Sequence, residues 1–179
     1  GRPFAAAAAG IPTAGLLGWY KMNSISGGIL TDETGLYSGT ISNGSIITGY
    51  IGNAIQFNGS STLGSIPYNS ALNPATFTVS LWIKTITTNN QVVAEINGNS
   101  GWSIQTMDSS TASASGGAVG GILINAGGFS STLRSGGAIN TNSWTHVAFC
   151  LNIAGGVQRV YVNGVHTSPT TGAGSAVAG

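Results

Sequence analysis

The sequence predicts an all-β protein in which two antiparallel sheets pack face to face as a jelly-roll sandwich. Short runs of alternating apolar and polar residues recur along the chain, Asn-Gly turn signals fall between them, and segments with a helical pattern are almost absent. Many short strands separated by glycine-containing turns are typical of a β-sandwich or jelly roll rather than of an α/β fold. Because the clearest strands have one apolar side, a second sheet is needed to cover it.

The clearest strands lie in residues 142–165. Two alternating segments, residues 144–152 and 157–162, are followed by Asn163-Gly164, the dipeptide that most favours a type I′ hairpin turn. Successive residues of a strand point to opposite faces, so alternate positions form the side to be buried. These positions are Thr145, Val147, Phe149 and Leu151 in the first strand and Val160 and Val162 in the second.

The rest of the chain contributes further short strands. Residues 16–21 are predicted to form the first strand, and residues 77–84 alternate most regularly, which predicts a central strand. In that strand Trp82 lies opposite the apolar face, which means either exposure or a strand covered on both sides. The remaining strands are predicted at residues 54–57, 91–96, 101–107, 122–125 and 131–134.

The chain length of 179 residues and the 41% hydrophobic content indicate one domain with a core of ordinary size. We expect an extended N-terminal arm at residues 1–15, the β-sandwich at residues 16–168 and a flexible tail at residues 169–179. Residues 108–121 are rich in small residues and predict a loop.

Charged residues make up only 5% of the chain, against roughly 25% in an average soluble domain, so solubility rests on Ser, Thr, Asn and backbone groups. This argues against an ordinary cytoplasmic enzyme. The net charge of +1 comes without a basic stripe, so no nucleic-acid partner is expected. No apolar run approaches the ~20 residues that span a bilayer, so membrane insertion is not expected either.

The acidic residues are too few and too scattered for a recognisable hydrolytic site, because a glycosidase needs two carboxyl groups flanking the scissile bond. An adjacent pair in a strand would point to opposite faces, and the other two acids stand alone in the sequence. A pair formed by Glu95 and Asp108 in the folded chain is the alternative left open. The four acids are Asp32, Glu33, Glu95 and Asp108.

The histidines and the cysteine offer no clearer chemistry. The sequence has no Gly-x-Ser-x-Gly motif, and His146 and His166 have no recognisable partners, so His146 is interpreted as a structural or surface residue. Two histidines without a cysteine or carboxylate cluster make a poor zinc signal. Cys150 is the single cysteine and is interpreted as a small buried thiol. We therefore expect the chain not to be an enzyme.

Five segments, in order, resemble the LamG-like jelly rolls of the concanavalin A-like lectin/glucanase superfamily, over about residues 15–165. They are Gly15-Leu-Leu-Gly-Trp-Tyr, Gly49-Tyr-Ile-Gly-Asn-Ala-Ile-Gln-Phe-Asn-Gly-Ser-Ser, Phe77-Thr-Val-Ser-Leu-Trp-Ile-Lys, Trp144-Thr-His-Val-Ala and Arg159-Val-Tyr-Val-Asn-Gly. The resemblance implies two packed antiparallel sheets, a non-catalytic role and an extracellular or virion-surface location.

The chain departs from this family pattern in two places. Many relatives carry an acidic residue after the Phe-Asn-Gly segment that helps to define a calcium site, and Phe57-Asn-Gly-Ser-Ser-Thr has none. We therefore expect no cofactor; Asp32 and Glu33 are weak metal candidates, with a solvent-exposed loop as the favoured interpretation. Relatives also end with an Asp-Glu-Val-Arg-like strand, which nothing in residues 168–179 resembles.

The missing last strand suggests a first function. An unpaired sheet edge recruits strands from other chains, so the arm or a neighbouring subunit would complete the sandwich, with Phe4, Leu16 and Leu17 as the assembly residues. This predicts a structural or decoration subunit on a virion or other extracellular surface, partnered by copies of itself or by neighbouring surface or capsid proteins. A poorly matched last strand, or a truncated chain, is the alternative.

A carbohydrate-binding adhesion module is the second function, because aromatic faces stack on sugars while Asn and Ser bind hydroxyl groups. The competing interpretation of the aromatic residues is core packing. Asn43-Gly-Ser and Asn58-Gly-Ser match the N-glycosylation pattern but are favoured as turns. The glycan-binding candidates are Trp19, Tyr20, Trp82 and Trp102.

Overall fold

The computed structural model confirms the all-β prediction. Its elements are short antiparallel strands and two single 3₁₀ turns, Ser26–Gly28 and Ser70–Leu72. The chain comprises two compact units, Gly1–Leu72 and Asn73–Gly179. The structure describes residues 14–87, 91–96, 102–106, 122–126, 133–135, 139–152, 154–155 and 157–166, with backbone alone for 122–126 and 133–134.

The first unit contains a three-stranded sheet and a hairpin. The sheet has the order β1-β2-β5, and β3 pairs with β4. All of these pairings are antiparallel. The strands are β1 (Ile29–Leu30), β2 (Gly39–Ser42), β3 (Ser45–Thr48), β4 (Asn53–Gln56) and β5 (Leu63–Ser65).

The core of the first unit is small. Leu30 and Ile41 are its buried apolar side chains among the described residues, and β2 alternates buried and exposed positions as a strand with one covered face should. Gly39 begins β2 because β5 runs too close for any side chain. A Cβ at Gly39 would lie 2.1 Å from the carbonyl oxygen of Ser65.

The prediction of a first strand at residues 16–21 is wrong. These residues belong to no strand; instead Trp19 is bonded through its backbone to the loop that follows β1. The Trp19 N–H donates to Asp32 Oδ1 at 2.8 Å, and the Glu33 N–H donates to the Trp19 carbonyl at 2.8 Å. Two isolated bonds anchor the segment without forming a ladder.

The second unit consists of two four-stranded antiparallel sheets. The front sheet has the order β13-β12-β11-β6, and the back sheet has the order β10-β9-β8-β7. The front strands are β6 (Thr76–Ile83), β11 (Thr145–Asn152), β12 (Val157–Val162) and β13 (Val165–His166). The back strands are β7 (Val92–Glu95), β8 (Trp102–Thr106), β9 (Ile122–Ala126) and β10 (Leu133–Arg134).

The core of this unit lies between the two sheets, as the sandwich prediction requires. Val147, Phe149 and Val160 of the front sheet are fully buried in one cluster with Ile104 of the back sheet. Phe77 meets Phe149 edge to face, with ring centroids 5.9 Å apart. The alternation predicted for residues 144–152 is confirmed, because every second residue of β11 is buried.

Other details of the front sheet differ from expectation or refine it. Among the described strands β11 and β12 have neighbours on both sides and β6 has one on a single side, so the central position predicted for residues 77–84 stays a prediction. Alternation reports which face is covered and carries no information about neighbours. Cys150 is half-buried on the outer face of β11 instead of in the core. The Asn163-Gly164 turn is confirmed, with φ values of 50° and 78°.

Candidate functional site

The outer face of the front sheet gathers aromatic, imidazole and hydroxyl side chains. Residues that alternate with the buried positions of each strand point to this face. We call it the outer platform. Its members are Thr78, Ser80 and Trp82 of β6, His146, Ala148 and Cys150 of β11, Arg159 and Tyr161 of β12, and His166 of β13.

Strand register brings the ring side chains of the outer platform together in pairs. Trp82 lies directly across from His146, with ring centroids 5.1 Å apart, and Tyr161 lies across from His166 at 5.3 Å. Such cross-strand pairs fix the orientation of both rings. The Trp82 side chain remains 37% exposed, so part of its surface is available to solvent.

Hydrogen bonds hold His146 in place. Its Nε2 lies 2.8 Å from Ser80 Oγ, and its backbone N–H donates to Asn163 Oδ1 at 2.9 Å. The Asn163 N–H in turn donates to the His146 carbonyl at 2.8 Å. The turn that ends β12 therefore locks the strand position that carries the imidazole.

A shallow depression of about 390 Å³ lies at the opposite end of the outer platform from Trp82. Its polar lining includes Thr78, Cys150 and Arg159, with Tyr161 beside them. The Thr78 hydroxyl donates to Cys150 Sγ at 3.4 Å. Side chains with hydroxyl, guanidinium and phenol groups can form hydrogen bonds to a polar ligand seated there.

The side chains of the outer platform can form hydrogen bonds and ring contacts with a ligand. The Ser80 and His146 pair has the distance of a nucleophile and a base, but no carboxylate lies on the described outer platform to orient the imidazole. No pair of carboxyl groups lies there either, and Asp108 falls outside the described residues, so the pairing of Glu95 with Asp108 stays untested. Exposed rings beside hydroxyl groups are suited to binding.

The four aromatic candidates predicted from the sequence do not form one site. Trp82 lies on the outer platform, whereas Trp102 packs between the sheets with its ring 5.8 Å from Phe77. Trp19 and Tyr20 belong to the first unit, where Lys21 Nζ lies 4.6 Å from the Trp19 ring centroid and the Tyr20 hydroxyl donates to the Tyr37 carbonyl at 2.7 Å.

Of the nine members of the outer platform, sequence reasoning named Trp82 alone as a binding candidate; the largest polar side chains that it missed are His146, Arg159, Tyr161 and His166. His166 lies beyond the predicted strands, whereas the strand positions of the other three were visible in the alternation with buried residues. Their neighbours were not, because these depend on the register between strands far apart in the chain. Ser80 and His146, for example, are separated by 66 residues.

Asp32 and Glu33, the weak metal candidates, have protein partners instead. Asp32 Oδ1 accepts from the N–H groups of Trp19 at 2.8 Å and Thr34 at 3.0 Å, and Oδ2 accepts from the Thr34 hydroxyl at 2.5 Å and the Tyr37 N–H at 2.9 Å. Glu33 pairs with Lys21 at 2.8 Å. Both oxygens of Asp32 therefore already accept two bonds each.

The surroundings of Asp32 shift the pKa of its carboxyl group and the pKa of the nearby Tyr20 hydroxyl. Burial alone would raise the pKa of Asp32, but the bonds from Thr34, Trp19 and Tyr37 outweigh it and lower the pKa to about 2. Burial raises the pKa of Tyr20 to about 12, with the nearby Asp32 charge adding to the effect. No group of three potential metal ligands occurs within the described part of the chain.

The two Asn-Gly-Ser sequences are used as turns, as predicted. Asn58 Oδ1 accepts from the N–H groups of Ser60, Ser61 and Thr62, and its amide nitrogen donates to the Ser61 hydroxyl at 2.9 Å. Asn43 adopts a φ of 54° and donates to the Ser61 carbonyl at 3.1 Å. The Asn58 side chain thus holds its own loop, and the Asn43 side chain ties its turn to that loop.

Phe4, the first of the predicted assembly residues, and the predicted tail at residues 169–179 lie outside the described residues. Leu16 and Leu17 are half-buried. Their role in assembly and the proposed domain boundaries stay predictions. Across the described residues, no helix is long and apolar enough to span a bilayer.

The second unit is a two-sheet β-sandwich, and comparison with known proteins gives the family. Residues 57–179 match the model of Laminin_G_3, a family of the concanavalin A-like lectin/glucanase superfamily. Since this match covers more than half of the chain, the protein belongs to that family, and the resemblance inferred from the sequence is confirmed. A search of curated proteins finds no match.

Two solved structures share the fold. Domain 4 of AbnA, a GH43 extracellular arabinanase from Geobacillus stearothermophilus in complex with arabinotriose, has a TM-score of 0.59 and 24% identity over 83% of this chain and 73% of that chain. An S-layer domain-containing protein from Clostridium thermocellum has a TM-score of 0.50 and 20% identity, over 84% and 70% of the two chains. At these identities the likeness concerns the fold alone.

Proposed function

We propose that this chain is a non-catalytic carbohydrate-binding module of an extracellular or cell-surface protein, with the outer platform as its binding surface. The observation that carries this proposal is the arrangement of Trp82, His146 and Ser80. An oriented, partly exposed indole lies beside an imidazole that is itself held by a hydroxyl. Sugars present both an apolar ring face and hydroxyl groups, so such a surface matches them.

Two further observations support the proposal. The outer platform is built on regular strands, and the opposite face of β11 is buried, so the side chains on this strand are positioned without a ligand. A domain with the same fold, domain 4 of AbnA, was solved in complex with arabinotriose. Arabino-oligosaccharides are accordingly among the first ligands to try.

The test is a glycan array probed with the chain, followed by calorimetric titration of the best ligand. We expect saturable binding that Trp82→Ala weakens by roughly 30-fold, the effect of losing an aromatic anchor worth about 2 kcal/mol. Tyr68→Ala is the matched control, because Tyr68 is a 68% exposed aromatic residue of the first unit. Absence of binding to every glycan, or equal weakening by the two variants, contradicts the proposal.

A second candidate is a self-assembling subunit of a cell surface layer or a virion. Its support is a set of exposed apolar side chains in the first unit, led by Ile51 at 75% exposure. Low charge weakens repulsion between copies, and the S-layer domain-containing protein shares the fold. The other members of this apolar set are Ile29, Leu36, Ile46, Phe57 and Leu63.

Self-assembly has its own test. The subunit hypothesis expects oligomers in light scattering coupled to size-exclusion chromatography, and their loss when residues 1–14, with Phe4, are deleted. Ile51→Ser, on the apolar set, should also reduce assembly, while Tyr68→Ser serves as a control for general surface polarity. A monomer at all concentrations, unaffected by the deletion, contradicts the hypothesis and leaves the glycan proposal standing.

A further inference from the structure

Arg159 stands out among the cations of this chain. It is exposed on the outer platform, directly across from Cys150 and two positions before Tyr161 on β12. Within the described residues its guanidinium has neither an ion pair nor a hydrogen bond, whereas Lys21 pairs with Glu33. A guanidinium carries five N–H donors in a fixed fork, so Arg159 retains its full capacity to bind an acceptor.

No acid of the described chain neutralises this charge. Asp32 accepts four hydrogen bonds in the first unit, and Glu33 forms an ion pair with Lys21. Glu95 lies on β7 of the back sheet. The imidazole of His166, across from Tyr161, is the other basic group at this end of the outer platform, and that of His146 lies at the Trp82 end. The outer platform therefore presents uncompensated positive charge at the depression.

Distances along the front sheet show what size of ligand could use both ends. Tyr161 and Arg159 are two residues apart on one strand, which places them about 7 Å from each other. Trp82 lies two strands and four residues from Arg159, or roughly 16 Å. A ligand reaching from the indole to the guanidinium is thus an oligosaccharide, and a single sugar ring fits between Tyr161 and Arg159.

We infer that the ligand of the outer platform is an acidic oligosaccharide, with the carboxylate of one uronic acid residue bound by Arg159. This inference rests on the proposed glycan-binding function and extends it to a ligand class. A planar carboxylate accepts two parallel bonds from a guanidinium, and the depression beside it offers the Thr78 and Tyr161 hydroxyls to the same sugar. One isolated guanidinium matches one carboxylate per binding site.

The experiment uses trigalacturonate and its methyl ester, which differ in the charge of their carboxyl groups and in the methyl group that replaces it. Calorimetric titration at low ionic strength should show the wild-type chain binding the acid roughly tenfold or more tightly than the ester. Arg159→Gln should remove this preference, so that acid and ester bind with similar affinity, and should leave thermal unfolding unchanged. Lys21→Gln, which removes the same charge from the first unit, should keep the preference.

The outcomes separate the inference from the proposed function. Equal wild-type affinity for acid and ester, a preference that survives Arg159→Gln, or no binding to either compound overturns the acidic ligand. In each of these cases Trp82-dependent binding of a neutral glycan on the array preserves the proposed function. Loss of the preference in Lys21→Gln as well overturns the inference too, because it assigns the effect to net charge.

Discussion

The Asp32 loop of the first unit and the outer platform of the second both concentrate polar side chains, and they use them in opposite ways. Asp32 is 2% exposed and accepts four hydrogen bonds from its own chain. Arg159 is exposed and has none among the described residues. The carboxylate of Asp32 therefore has no hydrogen-bonding capacity left for a ligand, whereas the N–H groups of Arg159 can all bind one.

This difference separates residues that maintain the fold from residues that can bind. A carboxylate saturated by backbone N–H groups stabilises the loop that supplies them, and its removal leaves several donors unpaired. A polar group that faces solvent is already hydrated, so its removal changes the stability of the fold little. The same removal should weaken ligand binding strongly. Stability and binding should therefore respond to different substitutions.

The largest expected difference is between two tryptophans. Trp102→Ala should lower the free energy of unfolding by about 3 kcal/mol, because it empties space between the sheets, while Trp82→Ala should lower it by less than about 1 kcal/mol. Urea unfolding followed by circular dichroism measures both. Equal losses of unfolding free energy in the two variants would show that Trp82 on the outer platform stabilises the fold as much as Trp102 between the sheets does.

Backbone contact in the first unit can be tested at two glycines of neighbouring strands. Gly39→Ala should cost about 2–3 kcal/mol, since the new Cβ would lie 2.1 Å from the Ser65 carbonyl oxygen. At Gly64 a Cβ would meet only side-chain atoms at 3.5 Å or more, so Gly64→Ala should be tolerated. Thermal melts of the two variants check the prediction, and a stable Gly39→Ala protein contradicts the strand spacing.

The saturated carboxylate itself should contribute less than these packing changes. Asp32→Asn should destabilise the first unit by about 2 kcal/mol, because the amide cannot accept all four bonds. Glu33→Gln removes an exposed ion pair with Lys21 and should cost less than about 1 kcal/mol. Trp19 fluorescence during unfolding reports on this loop. Weakened glycan binding in the Asp32→Asn variant would argue against a purely stabilising role for the Asp32 loop.

Acidification should cause the smallest loss in the free energy of unfolding. The pKa of Asp32 is lowered from 3.8 to about 2 in the folded state, so its stabilisation is present above pH 4 and is lost as pH falls through 2. By pH 3 the loss should be about 1 kcal/mol. Asp32→Asn should abolish this part of the pH dependence. A variant with the wild-type acid profile would assign the effect to another group.

The sequence predicted which face of a strand is buried better than it predicted which segments pair with one another. Alternation in residues 144–152 correctly assigned Val147, Phe149 and Leu151 to the buried face, because one-sided burial has a period of two residues. It failed for residues 16–21, where two backbone bonds to the Asp32 loop hold an extended segment without a ladder. Tertiary hydrogen bonds of this kind leave no periodic signal.

The candidate site was predictable only in part for the same reason. Trp82 was identified as the aromatic residue opposite its strand's apolar face, and it does lie on the outer platform. Its neighbour His146 and the unpaired Arg159 required the register of β6, β11 and β12. Trp102 shows the converse, because its own strand pattern did not reveal that it packs on Phe77.

The indole N–H resonances in nitrogen-15 correlation spectra test the central claim most directly. Titration with the best array ligand should shift the Trp82 resonance and the backbone amides of His146 and Tyr161, and should leave Trp102 and Trp19 unchanged. Shifts confined to the first unit, or centred on Trp102, would place the binding surface elsewhere and contradict the assignment of the outer platform.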